Sequence, residues 1–215
     1  NSNPQKSKII SVYNGKSDHF KPLNKEEQQH YFKDKNIPDN FILFLGNADP
    51  KKNTIGLLKA YKIFASKIID APFLVMPDLG DEIFNKFITE ANAEEIKNKI
   101  VLLPYVPNME LPYYYNKALF FVYPSIRESF GIPLIEAMAC SVPVISSNTS
   151  CLPEIAGDAA LYCDPFNEQD MAEKMIKLYG DENLRNELIQ KGLLQHQKFS
   201  WENNAKQSLE IYKSL

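Results

Sequence analysis

Two acids on either side of a glycine–proline turn carry the strongest chemical signal in this 215-residue chain. The run reads Glu128-Ser-Phe-Gly-Ile-Pro-Leu-Ile-Glu136 and continues into Ala137-Met138-Ala139-Cys140. Pro133 suits the start of a helix, where its missing N–H has no partner to lose. The free N–H groups of such a first turn, with the positive end of the helix dipole, make a seat for phosphate. Gly131 lets a ligand come close to the backbone. Glu128 then lies in the loop before the helix and Glu136 about one turn inside it, so both can face one bound molecule. Carboxylates accept hydrogen bonds from hydroxyls. An anion seat flanked by two such acids suits a sugar nucleotide, which has a diphosphate between two polyols.

The elements that must position these residues alternate between strand-like and helix-like. Apolar runs at 41–45, 73–76, 100–103, 118–123, 142–145 and 159–163 predict strands covered on both faces. The first ends at Gly46, and Pro143 argues for an irregular position in the fifth. Asn53 reads as an N-cap. Leu57, Leu58, Tyr61, Phe64, Ala65 and Ile68 then recur at helical spacing. Further helices are predicted over 81–93, 110–117, 132–139, 168–179, 182–199 and 201–215. Tyr113, Tyr114 and Tyr115 sit at helical spacing as partly core residues. Trp201 is expected to anchor the last helix by burial, with Ala205, Leu209 and Tyr212 on the same face. Residues 1–7 read as a loose start. Strand–helix alternation with short connections predicts an α/β fold, a doubly wound parallel sheet of Rossmann-like type. Ligands in such sheets bind beyond the carboxyl ends of the strands, where the acid motif falls. The chain reads as a single domain over 1–215.

Composition narrows the function classes. A net charge of −3 gives no general reason to bind nucleic acid or an acidic membrane surface. The lysine-rich start (Lys6, Lys8, Lys16, Lys21, Lys25) is broken by acids and polar residues and reads as solvated surface. No run of 18 or more apolar residues is present, so no transmembrane helix is expected. Cys140, Cys151 and Cys163 lack paired metal-ligand spacing and read as reduced thiols of a cytoplasmic protein. His19, His30 and His196 are scattered, so no zinc site is expected.

Residues 123–140 resemble the donor-site motif of retaining GT-B glycosyltransferases of family 4, often called group 1. Other pieces follow in that family's order: Tyr13-Asn14-Gly15, Phe20-Lys21-Pro22, Leu45-Gly46, Asp49-Pro50-Lys51-Lys52-Asn53, Val142 to Ile145, Leu152-Pro153-Glu154, Ala156-Gly157-Asp158 and Phe199-Ser200-Trp201. The resemblance covers nearly the whole chain, but only the C-terminal half of the GT-B fold. It therefore implies that the N-terminal acceptor domain is absent from this chain and that the chain alone transfers no sugar.

The resemblance implies roles residue by residue. Glu128 would contact hydroxyls of the donor sugar, and Glu136 the ribose hydroxyls. Backbone N–H groups of Phe130, Gly131 and Ile132, next to Ser129, would hold sugar and phosphate oxygens. Lys52 would offset charge on the leaving diphosphate, with Gly46 and Asn47 beside it. Tyr105 and Val106 would lie near the base. The reaction implied is transfer of a hexose from GDP-mannose or a UDP-hexose to a hydroxyl acceptor, in polysaccharide or glycolipid synthesis. It needs no metal and no cofactor, and places the enzyme in the cytoplasm or at the inner membrane face. The base, sugar, acceptor, linkage and oligomeric state stay open. Two positions depart from the family pattern. Ser129 replaces a usual glycine. Asn47 replaces a usual arginine, and a neutral amide cannot supply the charge of a guanidinium. Arg127 stands beside the motif as a candidate substitute. Asn47 also supports a second reading, a non-catalytic interaction module that keeps the fold.

Overall fold

A computed structural model describes residues 9–214. Six parallel strands form one sheet: β1 (Phe41–Leu43), β2 (Phe73–Pro77), β3 (Ile100–Leu103), β4 (Phe120–Tyr123), β5 (Val144–Ser147) and β6 (Ala160–Cys163), in the order β3-β2-β1-β4-β5-β6. The chain builds outward from β1 through β2 to β3, then returns to pair β4 against the other edge of β1. At that reversal the connections leave toward opposite faces, and a crevice opens beyond the strand ends.

The helices are α1 (Lys25–Phe32), α2 (Thr54–Lys67), α3 (Asp81–Ala91), α4 (Leu111–Lys117), α5 (Ile132–Ala139), α6 (Leu152–Ala156), α7 (Glu168–Gly180), α8 (Glu182–Gln195) and α9 (Trp201–Lys213). Successive strand residues point to opposite faces. Ile42, Leu74, Met76, Val122 and Ile145 join side chains of α2, α3 and α7 in one core. Leu43, Val75, Phe121, Tyr123 and Val144 join α4, α5 and α6 in the other. Both faces are covered, which explains why the strands read as unbroken apolar runs. The tyrosine trio behaves as expected, with Tyr114 and Tyr115 buried and Tyr113 half-buried.

Three readings need correction. First, the short α6 went unforeseen, as did α1 within the lysine-rich start. Asn24 and Glu27 close it reciprocally: the Glu27 N–H donates to Asn24 Oδ1 at 2.8 Å, and the Asn24 N–H to Glu27 Oε2 at 2.9 Å. Second, Trp201 is 49% exposed, and Leu209 and Tyr212 are exposed as well. The half-buried stripe of α9 is Asn204, Ser208 and Ile211, one step around the helix. Backbone and amide contacts hold this helix instead. Lys16 bridges to Ser200, and Asn204 Nδ2 donates to the Tyr13 carbonyl at 2.8 Å. Third, Asn53 precedes α2 but makes no side-chain cap bond. Its backbone is left-handed, with φ at 58°. Its Nδ2 donates to the Pro165 carbonyl at 2.7 Å and the Pro124 carbonyl at 3.3 Å. The expected loose start at 1–7 lies outside the described residues.

Asn53 thus ties the loop after β1 to the loops after β4 and β6. Asn53→Ala removes both bonds and puts a Cβ residue of poor αL tolerance at a left-handed position, so we expect a loss of about 2–3 kcal/mol in urea unfolding. Asn53→Gly keeps the backbone freedom and should lose less. A loss below about 0.5 kcal/mol for the alanine variant would mean the tether does not support the loops.

Candidate donor site

The loops after β1 and β4 meet at the crevice. The first is a tight turn built on polar side chains. Asn47 Oδ1 accepts from the Asp49 N–H at 2.9 Å, and Asp49 Oδ1 accepts from the Lys51 N–H at 3.0 Å. A one-turn helix over Pro50–Lys52 follows. The second loop is joined to the first directly: the Ile126 N–H donates to the Lys51 carbonyl at 2.7 Å.

That junction brings Lys52 and Glu128 together across 76 positions of sequence. Lys52 Nζ lies 2.7 Å from Glu128 Oε1, with both side chains largely buried. Tyr123, the last residue of β4, donates its hydroxyl to the same Oε1 at 2.8 Å, and Lys52 Nζ donates to that hydroxyl at 3.2 Å. Burial works to raise the Glu128 pKa. The hydrogen bonds from Lys52 and Tyr123 and the Lys52 charge outweigh it, so the carboxyl sits below its ordinary value. Tyr123 is pushed upward, by burial first and then by the Glu128 charge, and so stays a proton donor.

The Lys52–Glu128 pair separates two cavities. One, of about 240 Å³, is lined by Gly46, Asn47, Lys52, Tyr105 and Val106 among the expected residues, together with Asp78 and Leu111. The other, of about 290 Å³, is lined by Lys51, Arg127, Glu128 and Ser129. Asp78 was not singled out by sequence. Its signal is the register that sets Pro77 beside Leu103 and so releases Asp78 and Tyr105 from adjacent strand ends.

The helix start falls where Pro133 and Gly131 put it. Gly131 is the residue before α5, with φ at +94°, and a Cβ there would meet Leu152 at 2.7 Å. No side chain caps this end. Phe130 packs on Ile135, Ile155 and Phe199 and holds the turn from below, with Ile132 against the same cluster. Ser129 is not among the residues with positive φ, so a side chain in place of glycine adds no backbone strain there.

Glu136 departs from the expected geometry. It lines neither cavity and is 7% exposed. Its place in the second turn of α5 turns it toward α4, where the Tyr115 hydroxyl donates to Oε2 at 3.3 Å. Burial drives its pKa up to about 7, with the Tyr115 hydrogen bond and the Lys16 charge opposing. The motif's two acids are therefore shifted in opposite directions, Glu128 below its ordinary value and Glu136 up to about 7.

A family model described as "Glycosyl transferases group 1" matches residues 25–213. The chain is 36% identical over 178 residues to an O-antigen chain mannosyltransferase B of Escherichia coli, covering 81% of this chain and 46% of that protein. It thus spans about half the length of that relative. A glycosyltransferase from Rickettsia africae shares its fold, with a TM-score of 0.82 at 20% identity, over 96% of this chain and 57% of the other. The C-terminal domain of a glycosyl transferase group 1 family protein from Francisella tularensis superposes with a TM-score of 0.64 at 26% identity, over 81% of this chain and 92% of that domain.

The state of Glu136 has a measurable consequence. The unfolded chain releases this proton near 4.5, the folded chain only near 7. Between those values the unfolded state binds fewer protons, so stability falls as pH rises and levels off above the folded value. The difference corresponds to roughly 3 kcal/mol. Glu136→Gln removes the effect. Its unfolding free energy, relative to the unaltered chain, should rise by roughly 3 kcal/mol from about pH 5 to about pH 8. Parallel pH profiles for the two chains would contradict a buried, neutral Glu136.

Proposed function

We propose, from the premise that this chain belongs to the glycosyl transferases group 1 family, that it is the donor-binding part of a sugar-transferring enzyme. The reaction is transfer of a hexose, mannose foremost, from a nucleotide-diphosphate sugar to a hydroxyl acceptor in polysaccharide synthesis, with retention at the transferred carbon. The observation that carries this reading is the Lys52–Glu128 pair at the reversal between β1 and β4, beside the uncapped start of α5. A cation and a free helix end suit a diphosphate, and an adjacent ionised carboxylate suits sugar hydroxyls.

The roles are those that the family pattern implies. Lys52 and the first turn of α5 stabilise charge on the departing diphosphate, so the chemistry needs no metal. Glu128 fixes the sugar through its hydroxyls, and a ribose contact by Glu136 requires its carboxyl to turn out of the seam with α4, away from Tyr115. Gly46 and Asn47 face the phosphates, with the N–H groups of Ser129, Phe130, Gly131 and Ile132 opposite. Tyr105 and Val106 flank the base. Asn47 spends its side chain in the turn and brings no charge. Lys51 is paired with Asp49 at 3.0 Å, which leaves Arg127, in the second cavity, as the candidate for the missing cation. The acceptor and its binding groups belong to the part of the relatives that this chain does not span. Positioning both substrates is the larger share of catalysis in such a transfer, so the chain alone binds donor weakly and transfers no sugar.

Asn47 favours a second reading, a scaffold that keeps the fold without a working site. Calorimetry against GDP, UDP, GDP-mannose and UDP-hexoses separates the two. The donor-site reading expects binding in the millimolar range or tighter. It also expects at least a tenfold loss of sugar-nucleotide affinity in Glu128→Gln, because a hydrogen bond to a charged acceptor contributes about 1.5–3 kcal/mol. Absence of binding to every nucleotide at millimolar concentration would leave only the scaffold.

A further inference from the structure

Tyr123 places a phenol in the buried core beneath the two loops. It ends β4, is 1% exposed, and its ring packs on Phe121 at 5.7 Å between centroids. A phenol in such a slot must find a partner for its hydroxyl. It finds Glu128, and it does so asymmetrically. Tyr123 and Lys52 both donate to Oε1, and the buried Ser125 hydroxyl lies beside the same carboxylate, while among the described residues no donor within 3.5 Å reaches Oε2. One oxygen of the carboxylate is clamped and the other is left to a ligand.

The two clamps differ in kind. Lys52 carries its ammonium on a flexible four-carbon stem and has three protons to offer. A diphosphate in the first cavity competes for it directly. Tyr123 has two side-chain torsions and a buried ring, and it donates its proton to Glu128 Oε1.

We propose that Tyr123 is a positioning residue that holds Glu128 Oε1 while Lys52 turns to the donor's diphosphate, so that Oε2 stays aimed at the sugar. This rests on the donor-site reading above. It adds a division of labour. Affinity for the nucleoside diphosphate depends on Lys52, whereas the extra affinity contributed by the sugar depends on Glu128 and, through it, on Tyr123.

Tyr123→Phe removes the hydroxyl and keeps the ring. The readout is the ratio of affinities for GDP-mannose over GDP, and for UDP-glucose over UDP, by calorimetry on this chain. We expect the ratio to fall about tenfold in Tyr123→Phe, with nucleoside diphosphate affinity held within about threefold. Lys52→Met should weaken both ligands alike. NMR of the Glu128 carboxyl should show its pKa rising in Tyr123→Phe, since burial is then less opposed. Equal losses for both ligands would show that Tyr123 only packs, and an unchanged ratio would show that the hydroxyl does nothing; either overturns the inference alone. Failure of the unaltered chain to bind any of the four ligands removes the donor-site reading and the inference with it. Should Tyr123→Phe fail to fold, Lys52→Met decides: with Tyr123 alone holding Glu128, the affinity ratio should stay within about threefold of the unaltered chain's, and a tenfold fall would overturn the proposal.

Discussion

The pairing of β1 with β4 is the constraint on which the rest depends. Every other strand contact in the sheet follows the order of building, but this one requires the chain to cross back over the whole first half. Its reward is burial on both faces, with Leu43 beside Phe121 and Ile42 beside Phe120. Its by-product is a gap. The loops leaving two neighbouring parallel strands diverge there, and no side chain of the sheet fills the space between them. Lys52 comes from one loop and Glu128 from the other. Neither has any reason to meet the other without that register.

The two acids of the motif show how one short segment produces two electrostatic environments. Glu128 precedes the helix, stays partly open to water and has a cation and a phenol at bonding distance. Glu136 is carried by the helix into the seam with α4, where Tyr115 is its one hydrogen-bond partner among the described residues. Burial disfavours charge in both, and only in the first do the neighbouring donors outweigh it. The difference comes from helix geometry, not from residue type. Five residues into α5, a side chain faces inward.

Much of the architecture was legible because its signals are local. The helix after Gly131 was bounded correctly, since a left-handed glycine and an early proline leave little choice of start. The apolar runs marked the strands because a doubly covered sheet admits nothing else. Boundaries shifted where pairing decides them: the fifth strand begins at Val144, after Pro143, whose ring cannot donate to the ladder. α1 was missed although Asn24 and Glu27 spelled out a capping box, because its charges masked a short helix with only Phe32 buried. Trp201 misled for the opposite reason. Its stripe has true helical period, but periodicity shows only that a face exists, not that anything covers it. Asn53 looked like a cap because caps and left-handed turns favour the same residue types. The site was half visible. The acids announced themselves, but the contact of Lys52 with Glu128, and Tyr123 beneath both, arise from tertiary register. A tyrosine ending a strand carries no mark of what its hydroxyl reaches.

Asn53 stands one peptide bond from Lys52, and its amide grips the carbonyls of Pro124 and Pro165. Three crossings of the chain therefore share a single knot next to the site's central cation. The segment beyond β6 reaches no ligand cavity, yet it cannot shift without pulling on the peptide that carries that cation. Sequence changes near Pro165, remote from any bound sugar, thereby gain leverage over how firmly the diphosphate is grasped.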